Sequence, residues 1–407
     1  MLFRSGQYKW HFQEVHHDIW DFDAPSPTVL FDQSYNGQMR KGIYEPGKTG
    51  WLYLLDRTNG QPLIGIDETP VEQDPRQSTA ATQPIPVGDP YMNQCGDPVP
   101  GFPIAKCIYG TFWDIPVVFH PLGGGGTEWS PSSYSQQTGY IYVTAAEQDS
   151  TLAVRQLPYT QGKTYTRSVS PTPLGAPINS TYTALDSRTN KIVWQKQDNF
   201  GQSYGSVSTA GGLVFRGKVD GNLEAYDAKT GDVLWTFQTG LGISAPPMVW
   251  GDGTNEYVTV AVGGNRGGAM TTDGDMVWTF ALNGLVEQVA APPAPQSKID
   301  LTANPVKLGA PVASPQTPVY GGLPFDGTMY TYEYAFTPQV VSVPVSTTLT
   351  WRNDGAVIHT ATAADGSWDT GDIPGGGATA SVTFDTPGTY NFNCTPHPWM
   401  LGRVIVQ

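Results

Sequence analysis

Near the end of the chain the stretch NCTPHPWM places Cys394, His397 and Met400 three residues apart. One thiolate, one imidazole and one thioether on a single tight loop are soft or borderline donors, which suit copper rather than calcium or magnesium. His359, in GAVIHTAT, offers a second imidazole from a different predicted strand. Cys394, His359, His397 and a weak axial Met400 make up the ligand set of a type 1 copper centre, whose compromise geometry suits both oxidation states and moves one electron. Taken singly, Cys394 reads as a buried hydrophobe, His397 as a surface residue and Met400 as core packing. Together, at these spacings, they specify metal. Pro396 and Pro398 stiffen the loop, and Asn353 is placed to hydrogen-bond across to it. No other His-rich cluster occurs, so a multicopper oxidase or nitrite reductase would lack its second site. The expected task is electron transfer through the His397 edge.

Those ligands need a rigid frame. From Asp326 onward, YTYEYAFTPQVVSVPVSTTLTWRNDG and ATASVTFDTPGTYNFNC alternate apolar and polar residues and are rich in β-branched types, which predicts a small β-sandwich over 326–407. Residues 286–325 are rich in Pro, Ala and Val without periodicity and read as a linker. As a flexible coil, a segment of that length spans roughly 35 Å, enough to reach around a neighbouring domain.

Upstream, ALDSRTNKIVW ends at Trp194 and AYDAKTGDVLW at Trp235, 41 residues apart, with Ala, Asp, Thr and Trp at matching offsets. A period of about 40 to 45 residues with strand-like segments is the mark of propeller blades. Weaker echoes are LLDRTNG (Leu54 to Gly60) and SYSQQTGYIYV (Ser133 to Val143). Asp220-Gly221 predicts a hairpin between two strands. The Asp and Thr of each repeat should close a turn, and the Trp should pack between blades. Gly6 and Trp10 repeat the spacing of Gly231 and Trp235, so the chain opens inside a repeat. Residues 1–5 are therefore read as foreign to the natural protein. The domain expectation is a propeller over 1–285, a linker over 286–325 and a copper sandwich over 326–407, all-β throughout.

The net charge of −14 with no basic stripe argues against nucleic acid as a partner. No apolar run reaches the 18 or so residues of a membrane span. Cys95 and Cys107 bracket GDPVPGFPIAK. That spacing reads as a disulfide formed in an oxidising compartment, with two buried thiols as the alternative.

The copper loop resembles that of amicyanin-type cupredoxins, in which CTPHP is followed by an aromatic residue and Met; the likeness covers residues 326–407 and implies a Greek-key sandwich. The stretches VHHDIWDFDAPSPTVLFD, GKTGWLYLLDRTNG, GGTEWSPSSYSQQTGYIYV, AGGLVFRGKVDGNLEAYDAKTGDVLWTFQTGLGISAPP and YVTVAVGGNRGG resemble, in order, the quinoprotein dehydrogenases that use pyrroloquinoline quinone (PQQ). This second resemblance implies part of an eight-bladed propeller, about the C-terminal half. It also implies that Asp21 is the general base, taking a hydroxyl proton as hydride passes to the quinone, beside a bound Ca²⁺ or lanthanide that acts as Lewis acid. Asp23 stands where lanthanide-using members carry an extra carboxylate ligand. Lys48 takes the place of the cation that bonds the quinone oxygens near the base.

Departures from the family pattern are also implied. Glu128-Trp129 replaces Asn-Trp beside the cofactor, Tyr204 replaces a stacking Trp, and Asn265-Arg266 replaces a Trp at the cofactor edge. HHDIWDFD with Lys48 looks more like the sugar-oxidising branch. The expected protein is a periplasmic oxidoreductase that oxidises an alcohol or sugar and passes electrons to its own copper domain, then to an acceptor such as a cytochrome c or an oxidase. The alternative is a non-catalytic propeller scaffold carrying an electron-transfer cupredoxin. The remaining metal ligands of the family come from an N-terminal half that has no counterpart here, so the chain alone is expected to bind cofactor poorly and to be inactive.

Overall fold

The structure, a computed structural model, describes residues 6–98, 104–113, 117–121, 125–153, 159–162, 168–170, 178–199, 204–264, 274–290, 305–309, 311–312, 323–332, 335–354, 358–396 and 400–407. Every regular element among them is a strand. No helix of the described residues is long and apolar enough to cross a membrane.

Ser133–Ser135, Tyr140–Gln148, Ile178–Asp186 and Lys191–Asp198 form one antiparallel four-stranded sheet, and Ser206–Ser208, Leu213–Gly217, Asn222–Asp227 and Val233–Gln238 form the next. Three-stranded sheets stand before and after them, over Val29–Tyr35, Gln38–Pro46 and Leu52–Asp56, and over Met248–Gly251, Glu256–Val262 and Met276–Ala281. Between the first four-stranded sheet's inner strands, Ser150–Ala153 leaves to pair with Val117–Phe119. A disulfide joins Cys95 and Cys107 beside this excursion.

The repeat turns are built alike. Carboxylates of Asp56, Asp186 and Asp227 each accept the N–H two residues on, at 2.9, 2.8 and 2.8 Å, the Asx turn that an Asp at this place favours. Gly60 and Gly231 end two of these turns at φ of 76° and 73°. A Cβ on them would fall 2.7 Å from the Trp10 ring and 2.6 Å from the Trp194 ring. Each indole therefore lies directly on the next repeat's turn, and only glycine leaves room for it. Trp194 also stacks on Tyr226, which fastens consecutive four-stranded sheets together. At Asp220-Gly221, Lys218 N–H donates to Asn222 O at 2.9 Å, and Gly221 takes a φ of 86°.

The C-terminal strands make two sheets. One orders Val306–Lys307, Val340–Val343, Leu401–Val406, Gly388–Asn393 and Thr362–Ala363; the other orders Ala335–Thr337, Thr328–Tyr332, Thr347–Asn353 and Ala378–Phe384. Met329, Val341, Leu349, Trp351, Phe392 and Val404 fill the space between them, and alternation along Thr347–Asn353 puts Leu349, Trp351 and Asn353 on the inner face. Val306–Lys307 lies inside the stretch that composition reads as linker, yet it pairs parallel with Val341 and Ser342. Two residues carry too little alternation to announce a strand; the pairing exists because Val340–Val343 presents an edge.

Candidate functional site

Two sites take shape, one at each end of the chain. In the sandwich, His359 is locked by a two-way bridge to Ile373, its N–H reaching Ile373 O at 3.1 Å and its carbonyl accepting from Ile373 N–H at 2.7 Å. The buried Asn353 amide donates to the same Ile373 O at 2.8 Å. This bond props the backbone that carries His359. Cys394 follows directly on Gly388–Asn393, and its N–H donates to Met400 O at 3.0 Å, closing the loop on which both ride.

Cys394 Sγ is fully buried and lies 3.5 Å from His359 Nδ1. Thr360 N–H donates to that sulfur at 3.3 Å, and Met400 is buried in the same core. A tetrahedral ion with nitrogen and sulfur bonds of about 2.0 and 2.3 Å separates two such donors by about 3.5 Å. The pair therefore fits a soft or borderline metal of copper's class on spacing as well as on donor type. His397 lies outside the described residues.

At the other end, Asp21, Asp23, Lys48 and Glu128 converge. Lys48 Nζ stands 3.1 Å from Asp21 Oδ2, 2.5 Å from Asp23 Oδ1 and 3.4 Å from Glu128 Oε1. The lysine side chain is 5% exposed, whereas the carboxylates are 68%, 57% and 42% exposed, so a buried cation faces three acids at the water boundary. Burial alone would lower the ammonium's pKa; the hydrogen bonds of Asp23 and Asp21 and the charges of Asp21 and Glu128 outweigh it and hold Lys48 above its usual value. Carboxylates are the hard oxygen donors that Ca²⁺ or a lanthanide takes, but among the described residues no three acidic groups are arranged to hold one ion.

Local sequence explains the convergence. Asp18 Oδ1 accepts from Trp20 N–H at 2.9 Å and Asp21 N–H at 3.0 Å, while buried Trp20 pins the turn through Nε1 to Gly110 O at 2.8 Å. Asp21 is left at φ 74°, the left-handed region that Asp tolerates better than most residues but at some cost. Behind Lys48, a Cβ on Gly125 would fall 2.1 Å from Lys48 Cβ. Trp129 and Tyr204 lie side by side, ring centroids 6.1 Å apart. Asn265 and Arg266 lie outside the described residues.

Two buried acidic features escape a reading by motif. Glu45 is 7% exposed, and neither of its carboxyl oxygens has a hydrogen-bond partner among the described residues. Burial, helped by the charge of Glu14, pushes its pKa up to about 9, and burial pushes Glu14 up to about 8. A Cβ on Gly47, next to Lys48, would lie 3.2 Å from Glu14 Oε2, so the acids crowd the segment that carries the lysine. The one signal available was an acid at the end of the inward-facing run GIYEP. Separately, buried His120 lies between Asp149, at 2.9 Å from Nδ1, and Glu147, at 3.3 Å from Nε2. These carboxylates raise its pKa despite burial, which lowers it.

Residues 2–98 match the PQQ family, described as the glucose/ethanol/alcohol dehydrogenase β-propeller domain. Residues 124–307 match a family described as outer membrane protein assembly factor BamB, and residues 328–407 match copper binding proteins of the plastocyanin/azurin family. A quinoprotein ethanol dehydrogenase of Pseudomonas putida is 32% identical over 284 residues, 67% of this chain and 42% of its own length. A lanthanide-dependent methanol dehydrogenase of Methylorubrum extorquens is 29% identical over 64% of this chain and 42% of its own length. The crystal structure of quinohemoprotein alcohol dehydrogenase from Comamonas testosteroni superposes with a TM-score of 0.56 at 26% identity, covering 70% of this chain and 42% of that one. The chain thus spans less than half the length of the relatives it matches. It joins part of a quinoprotein-dehydrogenase β-propeller to a copper-binding domain of the plastocyanin/azurin family.

Proposed function

We propose that this chain is the quinone-side and electron-exporting part of a PQQ-dependent alcohol dehydrogenase that delivers electrons to its own copper domain. The observation that carries the reading is the convergence of Asp21, Asp23, Glu128 and Lys48. Asp21 accepts the proton of the substrate hydroxyl, since it is exposed and held outward by a turn that its own backbone conformation strains. Lys48 keeps Asp21 in place and supplies positive charge where the oxidant's oxygens would lie. Trp129, half-buried, offers ring surface to a planar cofactor, with the buried Tyr204 packed beside it. Asp21 and Asp23 would contribute ligands to Ca²⁺ or a lanthanide, which supplies Lewis acidity, with Glu128 beside the cofactor; PQQ, when bound, supplies a two-electron acceptor.

His359, Cys394, His397 and Met400 would hold copper, which supplies one-electron transfer. Burial of Cys394 keeps water from the sulfur, and the bridge to Ile373 keeps His359 still. Tethering gives the copper domain a high local concentration near the propeller without a diffusive encounter. The disulfide supports an oxidising, periplasmic setting. The relatives' names point to an alcohol as substrate, and a cytochrome c or oxidase would take electrons onward.

The test is stopped-flow mixing of the full-length, cofactor-loaded protein with a panel of alcohols and aldoses, following the blue copper absorption. Bleaching at the rate of quinone reduction is expected. A blue band that persists while the quinone is reduced defeats the proposal and leaves the scaffold alternative.

A further inference from the structure

The segments that carry His359 and Cys394 are tied together by a set of hydroxyl groups that lead outward to one carboxylate. Thr360, 5% exposed, makes two contacts across the gap. Its N–H donates to Cys394 Sγ at 3.3 Å, and its Oγ1 accepts from Thr395 N–H at 2.7 Å. Thr360 Oγ1 is also 3.1 Å from Thr362 Oγ1. Thr362 Oγ1 in turn lies 2.9 Å from Thr395 Oγ1 and 3.0 Å from Asp369 Oδ1.

The directions of these bonds follow from donor and acceptor counts. An Asp369 carboxylate can only accept, so Thr362 spends its one hydroxyl proton on Asp369. Both remaining Thr362 lone pairs must then accept, one from the Thr360 hydroxyl and one from the Thr395 hydroxyl. Thr360 has given its proton to Thr362, so the side of its oxygen facing Thr395 is a pure acceptor, as the Thr395 N–H requires. Each hydroxyl proton in the network is donated once, and Asp369 Oδ1 also accepts from Gly371 N–H at 2.9 Å. Asp369 is exposed, so a charge at the surface polarises a line of hydroxyls that ends on the two residues flanking the sulfur.

We propose that Asp369, Thr362 and Thr360 form a hydrogen-bonded relay that positions the Cys394 sulfur against His359 and sets how strongly that sulfur donates to copper. Thr360 is the positioning residue: it holds the Thr360 N–H to sulfur bond, which withdraws charge from the thiolate, by anchoring its own hydroxyl to the next peptide of the ligand loop. The inference rests on the copper reading above and goes beyond the four ligands to what tunes them.

The experiment uses the copper-loaded chain and its Thr360→Val, Thr360→Ser, Thr362→Val, Asp369→Asn and Asp365→Asn variants. Copper affinity is read by competition with a chromogenic chelator, together with the energy of the sulfur-to-copper absorption and the reduction potential. Thr360→Val and Thr362→Val should weaken copper retention roughly 10- to 100-fold and move the absorption band, while Thr360→Ser, which keeps the hydroxyl, restores both. Asp369→Asn should move the band in the same sense as Thr362→Val. Asp365→Asn removes an exposed charge of the same loop whose bonds, among the described residues, go to Ser367, and it should leave the band alone.

Circular dichroism reports folding; should Thr360→Val not fold, Thr362→Val and Asp369→Asn decide. Band, potential and affinity unchanged in the variants of a blue wild type would overturn the relay but not the copper reading. So would equal shifts from Asp365→Asn and Asp369→Asn, which would mean bare charge. A wild type that takes up no copper overturns both.

Discussion

Replacing Glu45 by Gln tests the buried acid pair behind Lys48, and its effect can be worked out from burial. The carboxyl has no hydrogen-bond partner among the described residues, and its pKa is pushed from 4.5 to about 9. A carboxyl whose folded pKa is raised favours folding fully below its unfolded pKa, and that contribution is lost as pH climbs through the folded pKa. The window therefore runs from about pH 4.5 to about pH 9. Each pH unit within it removes about 1.4 kcal/mol of stability, so at pH 7 the wild type has lost roughly 3 kcal/mol that an uncharged side chain keeps. Gln has nearly the same shape and does not titrate.

Its own burial costs about 1 to 3 kcal/mol at every pH, so the intercept of the comparison is uninformative and the slope decides. Urea unfolding followed by tryptophan fluorescence at pH 5, 6, 7 and 8 should show the Glu45→Gln chain gaining on the wild type by about 4 kcal/mol across that range. The Glu14 contribution is largely common to both proteins. Stability curves that run parallel from pH 5 to 8 would refute the reasoning, because they would mean that Glu45 is charged or solvated in the folded chain.

Lys48→Met should free Asp21, Asp23 and Glu128 from their shared cation, so terbium luminescence titration should show at least about a tenfold gain in affinity, against no change if those carboxylates do not form one site. Gly125→Ala sets a methyl 2.1 Å from Lys48 Cβ at a φ of 71°; a loss of about 1 to 3 kcal/mol in urea unfolding is expected. Trp194→Ala removes the ring lying on Gly231 and against Tyr226 and should cost about 3 to 5 kcal/mol in the same assay. A cost below about 1 kcal/mol would deny it the role of joining consecutive sheets.

Much of this was legible because it rests on short-range chemistry. The Asp and Thr of DAKTG and DRTNG make their turns from neighbours two or three residues away, so the repeat and its turns can be read without knowing what the turns touch. Alternation in TLTWRN places Leu349 and Trp351 on one face whatever that face meets. The Cys394 and Met400 spacing likewise brings two donors onto one loop, closed by the bond from Cys394 N–H to Met400 O.

What was not legible depends on pairings between distant segments. Val306–Lys307 is a strand only because Val340–Val343 lies alongside it. Asn353 is expected from the sequence to support the copper end, but only the fold shows its amide bonding Ile373 O and so bracing the backbone of His359. Glu45 resembles any strand glutamate until the fold buries it and brings the charge of Glu14, 31 positions earlier in the chain, to bear on it. Thr360, Thr362 and Asp369 carry no motif, and their line of bonds exists because the His359 and Cys394 segments are pressed together.

By itself the sequence determined the all-β class, the repeat, the turns, the donor types of the copper loop and, through resemblance, the acids and lysine of the quinone side. Tertiary structure alone decided that Asp21, Asp23, Glu128 and Lys48 share one charge cluster, and which buried groups have partners. The physical reason is range: turn geometry and donor chemistry act over a few residues, whereas desolvation and charge pairing depend on which remote segments the folded chain brings within a few ångströms.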